Sequence, residues 1–223
     1  MNVYFISGMG ADKRLFKNII LPEGFQMHFV EWIRPEDDEA IPAYASRLAA
    51  QIDPSHPFIL AGVSLGGIIS VEIAKLFPPA ATIIIGSIPV ARHLPRYYHT
   101  LGESLGLLKV LPGSFFKRAA SAKRWFTRET KADKRLIWQM IKEADARFLE
   151  WAMKAVLKWE NKEMPQPLWH IHGTRDIVFP IRLTRPTHRI RRGDHLVIIT
   201  RAEEVNAILR EVLAAYVPAI ATR

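Results

Sequence analysis

The chain has 223 residues, 49% hydrophobic and 24% charged, with no cysteine and a formal net charge of +9. Such a length suits one globular domain carrying an insertion, and a chain of this size buries roughly 70% of its unfolded surface without disulfide or metal support. The missing cysteines exclude disulfide frameworks, thiolate metal sites and a cysteine nucleophile.

The opening MNVYFISGMG has no basic segment and reaches glycine too early for a signal peptide. Within it, Val3–Ile6 is a short β-rich run closed by Ser7-Gly8, the mark of a buried strand. Phe25–Trp32 reads as a second strand, and a helix runs from Pro42 to about Ile52. Phe58–Ala61 is a third strand, followed by a helix from Gly67 to Phe77 that Pro78-Pro79 stops. The apolar run 57–74 is broken by Gly62, Ser64, Gly66, Gly67 and Ser70, so it reads as strand plus helix, with no membrane span; the expected location is cytoplasmic. Thr82–Ile85, Leu168–Ile171 and about His188–Arg191 are the remaining strands, and Ala202–Val217 is a closing helix.

Strands and helices alternate, and the strands are short and continuously apolar. This is the pattern of a mostly parallel sheet covered on both faces, an α/β fold. One long stretch interrupts it. Between Pro89 and Met164 no strand is predicted; helices are expected over Lys134–Glu143 and Ala146–Trp159, with Asp145 capping the second. The predicted organisation is a core of residues 1–88 and 165–223 with a helical insertion at 89–164.

Gly62-Val63-Ser64-Leu65-Gly66 matches G-x-S-x-G, and it lies where an apolar strand meets a helix. A sharp turn there lifts the serine hydroxyl out of the sheet, and the helix N-terminus favours negative charge developing beside it. A serine hydroxyl is a weak nucleophile until a base takes its proton and an acid orients that base. Asp176, in the loop after the fifth strand, and His195, between the last strand and the last helix, supply these types in the order Ser, Asp, His.

With these residues in hand the chain resembles the α/β-hydrolase superfamily over nearly its whole length. The resemblance rests on ISGMGAD after the first strand, GVSLGG at the turn, HGTRDIVFP after the fifth strand and GDHLVI before the last helix. It implies Ser64 as nucleophile, His195 as general base and then acid, Asp176 as the orienting carboxylate, and the backbone N–H groups of Met9 and Leu65 as the oxyanion hole. It also implies a six-stranded sheet in the order 2-1-3-4-5-6. Two departures from the family pattern stand out. Ser7-Gly8 replaces the usual His-Gly, and nineteen positions from Asp176 to His195 leave room only for a loop or one turn.

In this superfamily the 89–164 stretch corresponds to a helical cap over the nucleophile. Its large apolar residues (Leu107, Leu108, Phe115, Phe116, Trp125, Phe126, Trp138, Met140, Trp151) imply an apolar pocket for an acyl group. Eleven Lys/Arg against three acids between Arg92 and Arg135, and Arg182, Arg185, Arg189, Arg191 and Arg192, form basic clusters; around the entrance they would draw an anionic substrate. Asp12, Lys13 and Arg14 are assigned to a loop over that entrance, Asp194 to a solvated turn, His93 and His99 to the surface, and His170 and His172 to structural positions.

The resulting expectation is a serine hydrolase acting on a small carboxylic ester or thioester through an acyl-enzyme. Its partner is a small-molecule substrate; neither a cofactor nor a metal site is expected, and a homodimer is compatible with the sequence. Acyl transfer or carbon–carbon hydrolysis by the same residues, and a non-enzymatic ligand binder on this scaffold, stay open. A nucleic-acid binder has only the net charge in its favour, because no recognition motif accompanies it.

Overall fold

The computed structural model describes residues 1–96, 98 and 130–217. Among the described residues six parallel strands form one sheet: β1 (Asn2–Ile6), β2 (Gln26–Val30), β3 (Phe58–Val63), β4 (Ala81–Ile85), β5 (Leu168–Gly173) and β6 (His188–Ile190), in the spatial order β2-β1-β3-β4-β5-β6. The order and the strand count match the sequence expectation. Among the described residues the helices are α1 (Ile41–Leu48), α2 (Leu65–Leu76), α3 (Lys131–Glu143), α4 (Ala146–Leu157), α5 (Val197–Thr200) and α6 (Ala202–Ala214).

The inner strands look continuously apolar because they bury both faces. Along β1, Tyr4 and Ile6 join one core with α1, α2 and α4, while Val3 and Phe5 join the other with α3, α5 and α6. The same two-residue alternation divides β3 into Phe58 and Leu60 against Ile59, Ala61 and Val63. Among the described residues no helix is long and apolar enough to cross a membrane.

Several boundaries differ from expectation for local reasons. Thr130 accepts a hydrogen bond from the Asp133 backbone N–H, so α3 starts at Lys131, ahead of the predicted Lys134. Helix α2 starts at Leu65, directly after the serine, rather than at Gly67. The predicted closing helix ends earlier, at Ala214, and the short α5 precedes it. Asp145 caps α4 as expected, accepting from the Arg147 N–H at 2.8 Å. Between Asp176 and β6 there is a single 3-10 turn, Ile181–Leu183, in place of a full helix.

The close approach of α2 to β1 dictates one glycine. A Cβ on Gly66 would collide with the Ile6 and Ser7 carbonyls, which are backbone atoms with nowhere to move. Gly66→Ala is therefore expected to lower the unfolding free energy by about 3 kcal/mol, measurable by urea denaturation; an unchanged midpoint would contradict this packing.

Candidate active site

Parallel strands end at one edge of the sheet, and the loops leaving β1, β3, β4, β5 and β6 meet there. Ser64 occupies the turn from β3 into α2 with φ 53° and ψ −117°, a left-handed conformation that costs a non-glycine residue roughly 1–3 kcal/mol. Hydrogen bonds from both sides hold it. The Ser64 N–H donates to the Ile85 carbonyl at 3.0 Å, and the buried Ser87 hydroxyl donates to the Ser64 carbonyl at 2.7 Å.

The three side chains picked out in the sequence converge. His195 Nε2 lies 3.0 Å from Ser64 Oγ, and His195 Nδ1 lies 2.9 Å from Asp176 Oδ2. The second Asp176 oxygen accepts from the backbone N–H groups of Val178 and Phe179, at 2.8 and 2.9 Å. Burial pushes the Asp176 carboxyl up, but the neighbouring His195 and His172 and the Phe179 N–H outweigh it and hold the group below the usual carboxylate range. Asp176 is thus an ionised acceptor, so Nδ1 of His195 carries the proton and Nε2 is free to accept one from Ser64. His195 is backed by Gly86, whose φ is +53°; a Cβ there would sit 2.8 Å from the His195 carbonyl.

Met9 and Leu65 line the same cavity as Ser64 and His195. The Ser7 hydroxyl donates to the Ala11 carbonyl at 2.8 Å and the Ala11 N–H to the Gly8 carbonyl at 3.0 Å, closing a turn that holds Met9 beside the serine. Ser7 therefore has a fastening role where the family pattern has histidine.

The cavity has a volume of about 340 Å³. Helix α3 contributes Ile137, Met140 and Ile141 to it, and α4 contributes Leu149, Met153, Val156 and Leu157. Leu94, Tyr98, Val178 and Phe179 close the other side. No lysine, arginine, aspartate or glutamate lines it among the described residues. A larger cleft, about 760 Å³, lies against the opposite face of α4, between that helix and residues 34–42; it is lined by charged residues and holds none of the three converging side chains.

Some sequence expectations need correction. Trp151 does not reach the cavity: it is buried against Tyr44, with its indole N–H donating to the Glu39 carbonyl at 2.7 Å. Trp138 is 46% exposed on α3. Asp194 is half-buried rather than solvated, and its Oδ1 accepts from the Leu196 N–H and the Thr200 hydroxyl. His93 is half-buried. His99, Leu107, Leu108, Phe115, Phe116, Trp125 and Phe126 lie outside the described residues. The Asp12–Arg14 segment forms a capped 3-10 turn, Lys13–Phe16, that Arg14 ties to Glu143 and Lys17 ties to Asp133 of α3. No group of three or more His, Asp or Glu among the described residues is placed to hold a metal ion.

Other proteins share this arrangement of strands. A thermophilic esterase from Thermogutta terrifontis superposes with a TM-score of 0.72 at 18% identity, covering 96% of this chain and 90% of that one. MenH from S. aureus superposes with a TM-score of 0.75 at 14% identity, over 96% and 94% of the two chains. The pimeloyl-[acyl-carrier protein] methyl ester esterase of Neisseria meningitidis serogroup B is 24% identical over 222 residues, 90% of this chain and 84% of the relative. The chain has the α/β-hydrolase fold. No family model matches it.

The site contains polar support that the motifs did not reveal. Ser87 was legible only as a small residue after the TIII strand, and Phe179 only as part of HGTRDIVFP. Two buried histidines of β5, His170 and His172, stand directly behind Asp176. Burial pushes His170 down to about 3, with His172 adding to the effect, and burial also lowers His172. An unfolded histidine protonates near ~6.5, so between that value and the folded one the unfolded chain binds more protons and stability rises with pH. Acidification from neutral pH is expected to weaken the fold, by up to about 1.4 kcal/mol per pH unit for each proton taken up only on unfolding. His170→Gln should flatten that slope in a pH series of urea denaturation curves; an equal slope in both proteins would contradict it. Asp176, whose folded value is depressed, stabilises above the ordinary carboxylate range and loses that contribution only at lower pH.

Proposed function

We propose that this protein hydrolyses a carboxylic ester or thioester of an apolar acid through an acyl-enzyme on Ser64. The observation that carries the reading is the unbroken relay from Ser64 Oγ through His195 to Asp176, opening into a cavity with an apolar lining. His195 Nε2 takes the serine proton as Oγ attacks the carbonyl carbon, and Asp176 steadies the imidazolium that forms. The N–H groups of Met9 and Leu65 receive the negative oxygen; losing one such donor typically costs about 10²–10³-fold in rate. His195 then gives its proton to the leaving alcohol or thiol. Water repeats the cycle on the acyl-serine and frees the acid.

Helices α3 and α4, within the 89–164 insertion, act as a cap over the nucleophile. Their side chains exclude water from the acyl group and leave no buried cation to bind a charged chain end. The Neisseria relative is called a methyl ester esterase, an ester-cleaving activity of the same class. A non-enzymatic binder would have no need of a serine in a strained turn, hydrogen-bonded to a histidine–carboxylate pair. Arg182 and Arg185 are exposed in the loop after Asp176, outside the apolar lining, so an anionic portion of the substrate would stay at the rim.

Ser64→Ala is expected to abolish fluorophosphonate labelling and to lower the turnover of chromogenic esters by at least ~10³-fold. Retained turnover in the folded variant would remove the reading. Filling the cavity tests the acyl assignment separately. Met153→Trp should lower kcat/KM for long-chain esters at least ~10-fold while sparing acetyl esters, the scale on which a pocket discriminates chain length. Equal loss for both would place the acyl group elsewhere.

A further inference from the structure

His172 is fully buried, and three groups surround its ring. Its Nε2 is 2.7 Å from the Phe179 carbonyl, its Nδ1 is 3.0 Å from His170 Nε2, and Asp176 Oδ2 lies 3.4 Å from its Nε2 edge. The tautomer follows from the partner. A carbonyl only accepts, so Nε2 of His172 carries the hydrogen and its Nδ1 is left to accept. His170 is itself fastened, its backbone N–H donating to the Thr187 hydroxyl at 2.8 Å while its ring faces the Ser87 carbonyl. Ser87 is the residue whose hydroxyl holds the Ser64 carbonyl.

Phe179 is bound at both ends of its backbone. Its N–H donates to Asp176 Oδ1, and its carbonyl accepts from His172. Its ring lies edge-on to the His195 ring, with centroids 5.6 Å apart. The turn 176–179 therefore carries the carboxylate and one wall of the imidazole, and on the sheet side the His172 ring is its fastening.

Resting on the triad reading above, we propose that His172, its Nε2–H held toward the Phe179 carbonyl, is a positioning residue that clamps the 176–179 turn and so aims Asp176 at His195. It touches neither substrate nor nucleophile. Its action passes through the Phe179 carbonyl and the Asp176 oxygen shared with His195. A leucine of similar bulk would fill the space but release the carbonyl, and the turn would be free to move by the ~1 Å that costs on the order of 10²-fold in rate. Glutamine, whose amide nitrogen reaches about as far as Nε2, keeps the donor.

The test compares His172→Leu and His172→Gln with the wild type, on one chromogenic ester, with kcat counted per serine labelled by a fluorophosphonate. The expected result is a kcat about 10²-fold lower for His172→Leu, with KM little changed, and recovery of most of that loss in His172→Gln. If His172→Leu does not fold, His170→Leu carries the test and should lower kcat in the same direction. An unaltered kcat per labelled site in the leucine variants, whatever happens to their melting temperature, overturns the proposal. So does a glutamine variant no better than leucine. A wild type that is not labelled at Ser64 would sink the hydrolase reading instead, which keeps the two failures apart.

Discussion

The site depends on one strained turn. Ser64 can stay at φ 53° only because neighbours at the end of β4 fix its backbone: the Ile85 carbonyl takes its N–H, and the Ser87 hydroxyl meets its carbonyl. Without those bonds the turn would relax into an ordinary strand-to-helix link and the hydroxyl would swing off the sheet edge. Left-handed backbone at a non-glycine residue persists where surroundings over-determine it. Here the end of β4 supplies both bonds, so the strand beside Ser64 is as much a part of the site as the strand that bears it.

A parallel sheet converts this local constraint into a site. Every strand points its C-terminal end the same way, and ligands of open α/β sheets bind outside those ends. The turn after β1 brings Met9, the turn after β3 brings Ser64, and the loops after β5 and β6 bring Asp176 and His195. Residues separated by more than a hundred positions thus meet within hydrogen-bond distance. The strands can carry such loops because they are anchored from both faces: Val3 and Phe5 below, Tyr4 and Ile6 above, and the same division repeated in β3.

What was legible in the sequence is what local chemistry dictates. Continuous apolar runs bounded by glycine and proline mark strands buried on two faces, and Gly62–Gly66 around Ser64 marks the turn. Asp176 and His195 were found because each stands in a loop at a strand end. The supporting shell was not legible, because tertiary contacts alone create it. Nothing in the sequence says that Ser87 reaches the Ser64 carbonyl, or that His172 contacts Phe179 and Asp176 together. Trp151 misled for the same reason. Its place in an apolar helix was plain, but which face of α4 looks into the cavity depends on Tyr44 and Glu39, residues from a distant part of the chain. Asp194 looked like a solvated turn residue until the fold brought Thr200 and the Leu196 N–H to its carboxylate.

The covalent step is the centre of the account, and intact-protein mass spectrometry reaches it directly. Enzyme mixed with a slowly deacylating ester and quenched in acid should gain the mass of one acyl group. Peptide mapping should place that group on Ser64, and it should disappear as product acid accumulates. Rapid turnover with no adduct at any quench time, or an acyl group carried on another residue, would contradict the account.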